Sequence, residues 1–206
     1  MNNIDLISAL VGFGVLLISL TIHEAAHAWT ADRLGDPTAR MLGRVSLNPL
    51  VHIDPIGTVL LPLIASVTHA PIIGWAKPVP VNIRNLRHHR RDFMLVAAAG
   101  PISNLLQAVV WAAVIRVAPL NPDQVMLGVL EQAVVINLLL AFFNLIPVPP
   151  LDGGNVALGL LPPRLAAQYA QVRQFGFIIL YALLLTGVAS AIIMPPTMFC
   201  LRILLP

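Results

Sequence analysis

Charge is what this chain has least of. Asp, Glu, Lys and Arg together make up 10% of its 206 residues, where a soluble globular chain carries about 25%. The net charge of +3 is a small excess that gives no reason to expect a nucleic-acid partner. One cysteine, Cys200, excludes an internal disulfide and says nothing about redox compartment. Internal repeats and low-complexity tracts are absent. So is a signal peptide: Met1-Asn2-Asn3-Ile4-Asp5 lacks a positive n-region, no small-residue cleavage site follows, and the first apolar run is expected to stay. What fills the chain is apolar residue, 58% of the total, with a mean hydropathy of +0.85. This is the composition of an integral membrane protein. A spanning helix needs about 20 residues, so four or five spans fit, with little room for an extramembrane domain.

The expected fold is all-α and polytopic, a single domain over residues 1–206. Four spans are expected at about 4–31, 93–117, 125–146 and 175–193. Span one stops at Asp32-Arg33-Leu34-Gly35-Asp36-Pro37, where Gly precedes Pro as a helix end requires. Residues 54–67 form a shorter apolar run broken by Gly57 and Pro62, which suits a re-entrant segment. Gly74 to Asn82 is punctuated by proline and alternates, so it reads as extended chain or an edge strand. The arginines set orientation. Arg33, Arg40 and Arg44 follow span one, and Arg84, Arg87, Arg90 and Arg91 precede span two, so both stretches are expected on the cytoplasmic side. Arg116, beside the outer turn, dissents. This assignment puts His23, His27 and Asp152 at one depth, near the cytoplasmic ends of their helices.

The chemistry lies in His23-Glu24-Ala25-Ala26-His27. From Leu6 to Ile22 the chain has no charged residue, so these groups stand in an apolar helix, where ionisable side chains mark function by default. His23 and His27 are four apart and share a helix face, the spacing that grips one metal ion. Glu24 is placed to act as general base on a metal-bound water. A catalytic zinc needs a third protein ligand. Arg33 occupies the position six beyond His27 where one soluble class has a histidine. Glu131 lies 21 positions before Asp152, roughly 30 Å along a helix and too far. Asp152, on a Pro- and Gly-flanked turn, has the right depth, and Asp54 with His52 is its rival. Asn104 and Asn144 stand in apolar segments. Each suits a helix–helix hydrogen bond as well as a contact to substrate or an oxyanion. Histidines and acids within spans also fit a metal-ion transporter, or a scaffold without activity.

Three motifs together carry a family resemblance: His23-Glu24-Ala25-Ala26-His27, Gly100-Pro101-Ile102-Ser103-Asn104, and Asn144-Leu145-Ile146-Pro147-Val148-Pro149-Pro150-Leu151-Asp152-Gly153-Gly154. They resemble those of the site-2 protease family of intramembrane zinc metalloproteases. Asn48 to Gly57 and Gly74 to Asn82 resemble its compact prokaryotic branch. The resemblance implies one Zn2+ per chain held by His23, His27 and Asp152, with Glu24 as base. It also implies cleavage of the membrane segments of protein substrates in a lipid bilayer, near the cytoplasmic face of a prokaryotic cell membrane. Unlike many members, the compact form is expected to carry no span before the metal helix and no PDZ or CBS module.

Overall fold

The computed structural model describes residues 3–60, 76–117 and 124–205. Helix α1 runs from Asn3 to Arg33 and ends in a Schellman turn. There the Asp36 N–H donates to Ala31 O at 2.9 Å, and Gly35 takes φ +112°, which side chains rarely allow. A single turn, α2 (Thr38–Met41), follows. Helix α3 covers His89–Val117 and α4 Gln124–Asn144. Asp152–Leu160 forms α5, Pro163–Ala170 α6, Gly176–Leu185 α7 and Val188–Leu204 α8.

Helix α3 is the hub. It packs against α1, α4 and α5, and more lightly against α8. These contacts are made by small residues: Ala97, Ala108 and Ala112 of α3, Ala28 and Ala31 of α1, and Ala133 and Ala141 of α4 are all buried. Small side chains let helices approach where lipid removes the hydrophobic incentive to associate. The large apolar residues point outward instead, among them Leu106, Val110, Phe177, Ile178 and Phe199. Leu10–Arg33, His89–Val117 and Val125–Asn144 are long and apolar enough to cross a membrane.

One expectation changes, and two others meet the structure in part. The fourth span is not one helix over 175–193. Pro163–Leu185 and Val188–Leu204 meet at an angle of 71°, because Gly187 at φ +74° turns the chain between α7 and α8. The apolar helix therefore continues beyond 193, to Leu204. The re-entrant reading of 54–67 is described only as far as Leu60, where Pro55–Leu60 forms a π-helical turn; the rest lies outside the described residues. The 76–82 stretch is extended but pairs with no strand among the described residues, and its Lys77 N–H donates to His52 O at 2.8 Å. Arg116 also has its reason. Its guanidinium donates to Ile203 O at 2.9 Å, capping orphan carbonyls at the end of α8.

Candidate metal centre

His23 and His27 lie one turn apart on the buried face of α1. Asp152 comes to them from the first residue of α5. Two glycines allow that placement: a Cβ on Gly153 would run into the carbonyls of Leu145 and Ile146, and one on Gly154 would lie 2.7 Å from Pro149 N. His23 Nε2 is 3.1 Å from His27 Nε2 and 3.1 Å from Asp152 Oδ2, and His27 Nε2 is 3.4 Å from the same oxygen. Ligands at about 2.05 Å from a tetrahedral zinc stand about 3.3 Å from one another. The three edges of this triangle have that length.

Hydrogen bonds on the far side of each ring say which nitrogen is free. His23 Nδ1–H donates to Asn104 Oδ1 at 2.5 Å, and His27 Nδ1–H donates to Val96 O at 2.7 Å. In the neutral rings both Nε2 atoms are therefore acceptors, facing each other and a carboxylate oxygen. A proton bridges only one edge of such a triangle, whereas a divalent cation satisfies all three corners. Second-shell bonds of this kind are how metal-binding histidines are oriented. Gly100 of α3 completes the cradle, since a Cβ there would fall 2.5 Å from His23 Nε2 and would also strike His27 Nε2. The donor set, its spacing and its ring orientation all fit zinc. His23, His27 and Asp152 form the one group of three or more metal-competent side chains among the described residues.

Residues 121–187 match the family model described as Peptidase family M50. Over 187 residues the chain is 37% identical to "Putative zinc metalloprotease YwhC" of Bacillus subtilis (strain 168), covering 87% of this chain and 82% of that protein. The chain belongs to peptidase family M50. "Putative zinc metalloprotease Rip2" of Mycolicibacterium smegmatis is 32% identical over 180 residues, and the match covers 82% of this chain and 64% of that protein. No solved structure matches the chain. Within M50 this is a compact member of the site-2 protease type: a zinc metalloprotease with helices suited to a membrane.

The other expected residues fall as follows. Glu24 is half-buried, with its charge acting on His27 and Arg44. Asn104 lies behind His23, with its carbonyl on His23 and its amide on Asn137. Asn144 is folded onto its own helix, its Nδ2 donating to Leu140 O at 3.0 Å. Asp54 Oδ1 accepts the N–H groups of Ile56 and Gly57 and so caps the 55–60 turn. His52 is committed on both nitrogens, to Ser46 O and to the Arg44 guanidinium. His69 lies outside the described residues. His88 and His89 are exposed, at the start of α3.

Three residues had no place in the sequence reading of the site. Arg44 is buried and donates to Lys77 O, which fastens the extended 76–82 stretch beside the catalytic helix. No sequence signal separates it from Arg40, which remains largely exposed and pairs with Asp32. Asp36 is fully buried and ties the end of α1 to Thr38, Asn82 and Asn85. Burial raises its carboxyl, but the hydrogen bonds from Thr38, Asn85 and Asn82 outweigh this and hold it below the ordinary carboxylate value. The third is Asn137, fully buried in α4. A lone amide in an apolar span was its signal.

Proposed function

We propose that this chain is a zinc-dependent intramembrane endopeptidase that cuts peptide bonds in or near the transmembrane segments of other membrane proteins, as in regulated intramembrane proteolysis. One observation carries the reading: three metal-competent side chains converge, with their histidine rings pre-oriented, inside an apolar helix bundle. In this reading residues 1–206 act as one domain in a prokaryotic cell membrane. The site faces the cytoplasmic side, where Arg84, Arg87, Arg90 and Arg91 are exposed.

His23, His27 and Asp152 would hold the zinc, which when bound would supply a Lewis acid to polarise a carbonyl and acidify a water. Glu24 takes the proton of the attacking water and delivers it to the departing amide nitrogen, which completes the peptide cut. The apolar surround excludes bulk water and strengthens each of these charges. A helical substrate hides its peptide bonds, so it unwinds locally, and the extended 76–82 stretch held by Arg44 offers an edge for it. Asn144, whose Nδ2 also donates to Leu140 O, is the side-chain donor we assign to the oxyanion.

The test is cleavage of a membrane-protein substrate in proteoliposomes by wild type and Glu24→Gln, with zinc counted in both. Glu24→Gln is expected to retain about one zinc and to lose about 10²–10⁴-fold in rate, the contribution of general acid–base catalysis. Cleavage at the wild-type rate by Glu24→Gln would overturn the mechanism.

A further inference from the structure

Behind His23 runs a chain of amides through three helices. His23 Nδ1–H donates to Asn104 Oδ1. Asn104 Nδ2 donates to Asn137 Oδ1 at 2.8 Å. Asn137 Nδ2 donates to Ser19 Oγ at 2.9 Å and to Ala133 O at 2.9 Å. Asn104 and Asn137 are fully buried and Ser19 nearly so. The chain thus leaves α1 at His23, crosses α3 and α4, and returns to α1 one turn earlier.

Stability does not account for it. Hydrogen bonds between membrane helices contribute little net stability. Asn137 sits between Val134 and Leu138, two fully buried apolar residues whose kind would fill its place. Direction does account for it. A primary amide presents an acceptor on one side and a donor on the other, and a half-turn exchanges them. If Asn104 turned, its NH2 would face His23 Nδ1. That nitrogen would have to accept, and the ring proton would move to Nε2, where it blocks the metal. Asn137 Oδ1 prevents the turn because an amide oxygen can only accept, so it needs the Asn104 NH2 facing it. Asn137 is fixed in its own sense by the two acceptors on its other side, Ser19 Oγ and Ala133 O.

We propose that Asn137, backed by Ser19, is a positioning residue that locks the Asn104 amide and thereby holds His23 in its metal-binding tautomer. The inference rests on the zinc reading of the site. His27 needs no such device, since its Nδ1 donates to a backbone carbonyl that cannot turn.

The experiment compares wild type, Asn137→Leu, Asn137→Asp, Ser19→Ala and Thr197→Val in detergent at one pH. Zinc affinity is read by chelator competition. The histidine tautomers of the zinc-free protein are read by 15N–1H NMR. Asn137→Leu is expected to bind zinc about 10–100-fold more weakly, the usual cost of losing an outer-shell partner. The His23 signal should move toward the Nε2–H form while the His27 signal stays in place. Asn137→Asp is expected to rescue affinity, because a carboxyl oxygen accepts from Asn104 Nδ2 as the amide oxygen does. Ser19→Ala should weaken zinc by less than Asn137→Leu, since Ala133 O still holds Asn137. Thr197→Val is the control: that hydroxyl is buried, bonds Ile193 O of its own helix, and should not affect zinc. Wild-type affinity together with an unmoved His23 signal in Asn137→Leu would overturn the proposal and leave the metalloprotease reading standing. So would a zinc loss that Asn137→Asp fails to rescue. If Asn137→Leu does not fold, Ser19→Ala decides, and an unmoved His23 signal and unchanged affinity there overturn the proposal. Wild type that binds no zinc would overturn both readings.

Discussion

Adding one methyl group at Gly100 should damage the metal centre although nothing at that position carries chemistry. A Cβ there falls 2.5 Å from His23 Nε2 and 2.6 Å from His23 Cε1. Non-bonded heavy atoms settle at about 3.5 Å, so Gly100→Ala requires about 1 Å of retreat. The His23 ring cannot supply it by turning, because Nδ1 is held by Asn104. Helix α3 must move away from α1 instead, and it is also wedged against α4 and α5. A metal site tolerates about 0.2 Å in its ligand distances, and a misplacement of about 1 Å can cost about 10²-fold in rate. That is about 2.7 kcal/mol of transition-state stabilisation. Helix propensity acts in the opposite direction, since Ala for Gly in a helix interior gains about 1 kcal/mol. The balance therefore predicts a loss of about 100-fold in cleavage and weaker zinc binding. Gly128→Ala is the matched control: a Cβ there meets nothing within 4 Å, so propensity alone acts and the variant should be slightly more stable and fully active. Zinc retained against a competing chelator, cleavage in proteoliposomes and thermal unfolding are measured on both. A Gly100→Ala protein that binds zinc and cleaves like wild type would refute the close approach of α3 to the two histidines.

Asp152→Ala should lose most of its zinc and its cleavage, whereas Asp54→Ala should keep zinc and lose about 1 kcal/mol of stability with its cap; metal analysis and unfolding of the two variants check this. Asp36→Asn should cost about 2–3 kcal/mol at neutral pH, because a buried charged acceptor of several bonds is removed. The Asp36 carboxyl is depressed below its ordinary 3.8, so its contribution is complete above that pH and is lost as pH falls through the lower folded value. Unfolding curves of the two proteins should therefore converge below about pH 4 and nowhere else. In a Cys200→Ser background, His88→Cys should be labelled only from the cytoplasmic side of the membrane; labelling only from outside would reverse the orientation.

The sequence made the helices legible for a simple reason. Runs such as Leu6 to Ile22 are long and uncharged, and only a helix satisfies its own backbone in lipid. It also made the ionisable groups legible, since His23, Glu24 and His27 are conspicuous against that background. What stayed hidden depends on contacts between segments distant in the chain. Nothing local tells that Gly187 breaks the last apolar stretch while Gly128 leaves α4 unbroken; the two glycines differ in backbone angle, not in neighbours of an obvious kind. Nothing local tells that Arg44 turns inward while Arg40 stays out. Asn104 was visible as an oddity, but its sense was not. Whether an amide faces substrate or faces a ligand from behind is decided by which helix lies against it.

Helix α3 shows how much of the site is made by residues that do no chemistry. Val96, Gly100 and Asn104 are spaced four apart and form one stripe. Val96 offers its carbonyl to His27, Gly100 gives both rings room, and Asn104 accepts the hydrogen bond of His23. His27 meets residue 96 and His23 meets residue 104, so α1 and α3 run antiparallel in a fixed register. Sliding one helix by a turn, about 5.4 Å, would bring a side chain against the rings where Gly100 now leaves space, and would strip both Nδ1–H groups of their acceptors. The register is thus specified by hydrogen bonds and by a missing Cβ, not by bulky core residues. Lipid-exposed helices have little else to specify it with, because apolar side chains gain almost nothing by choosing a helix over a lipid tail. Two helices that must hold a metal between them therefore need their polar contacts where the metal is, and this pair has them there.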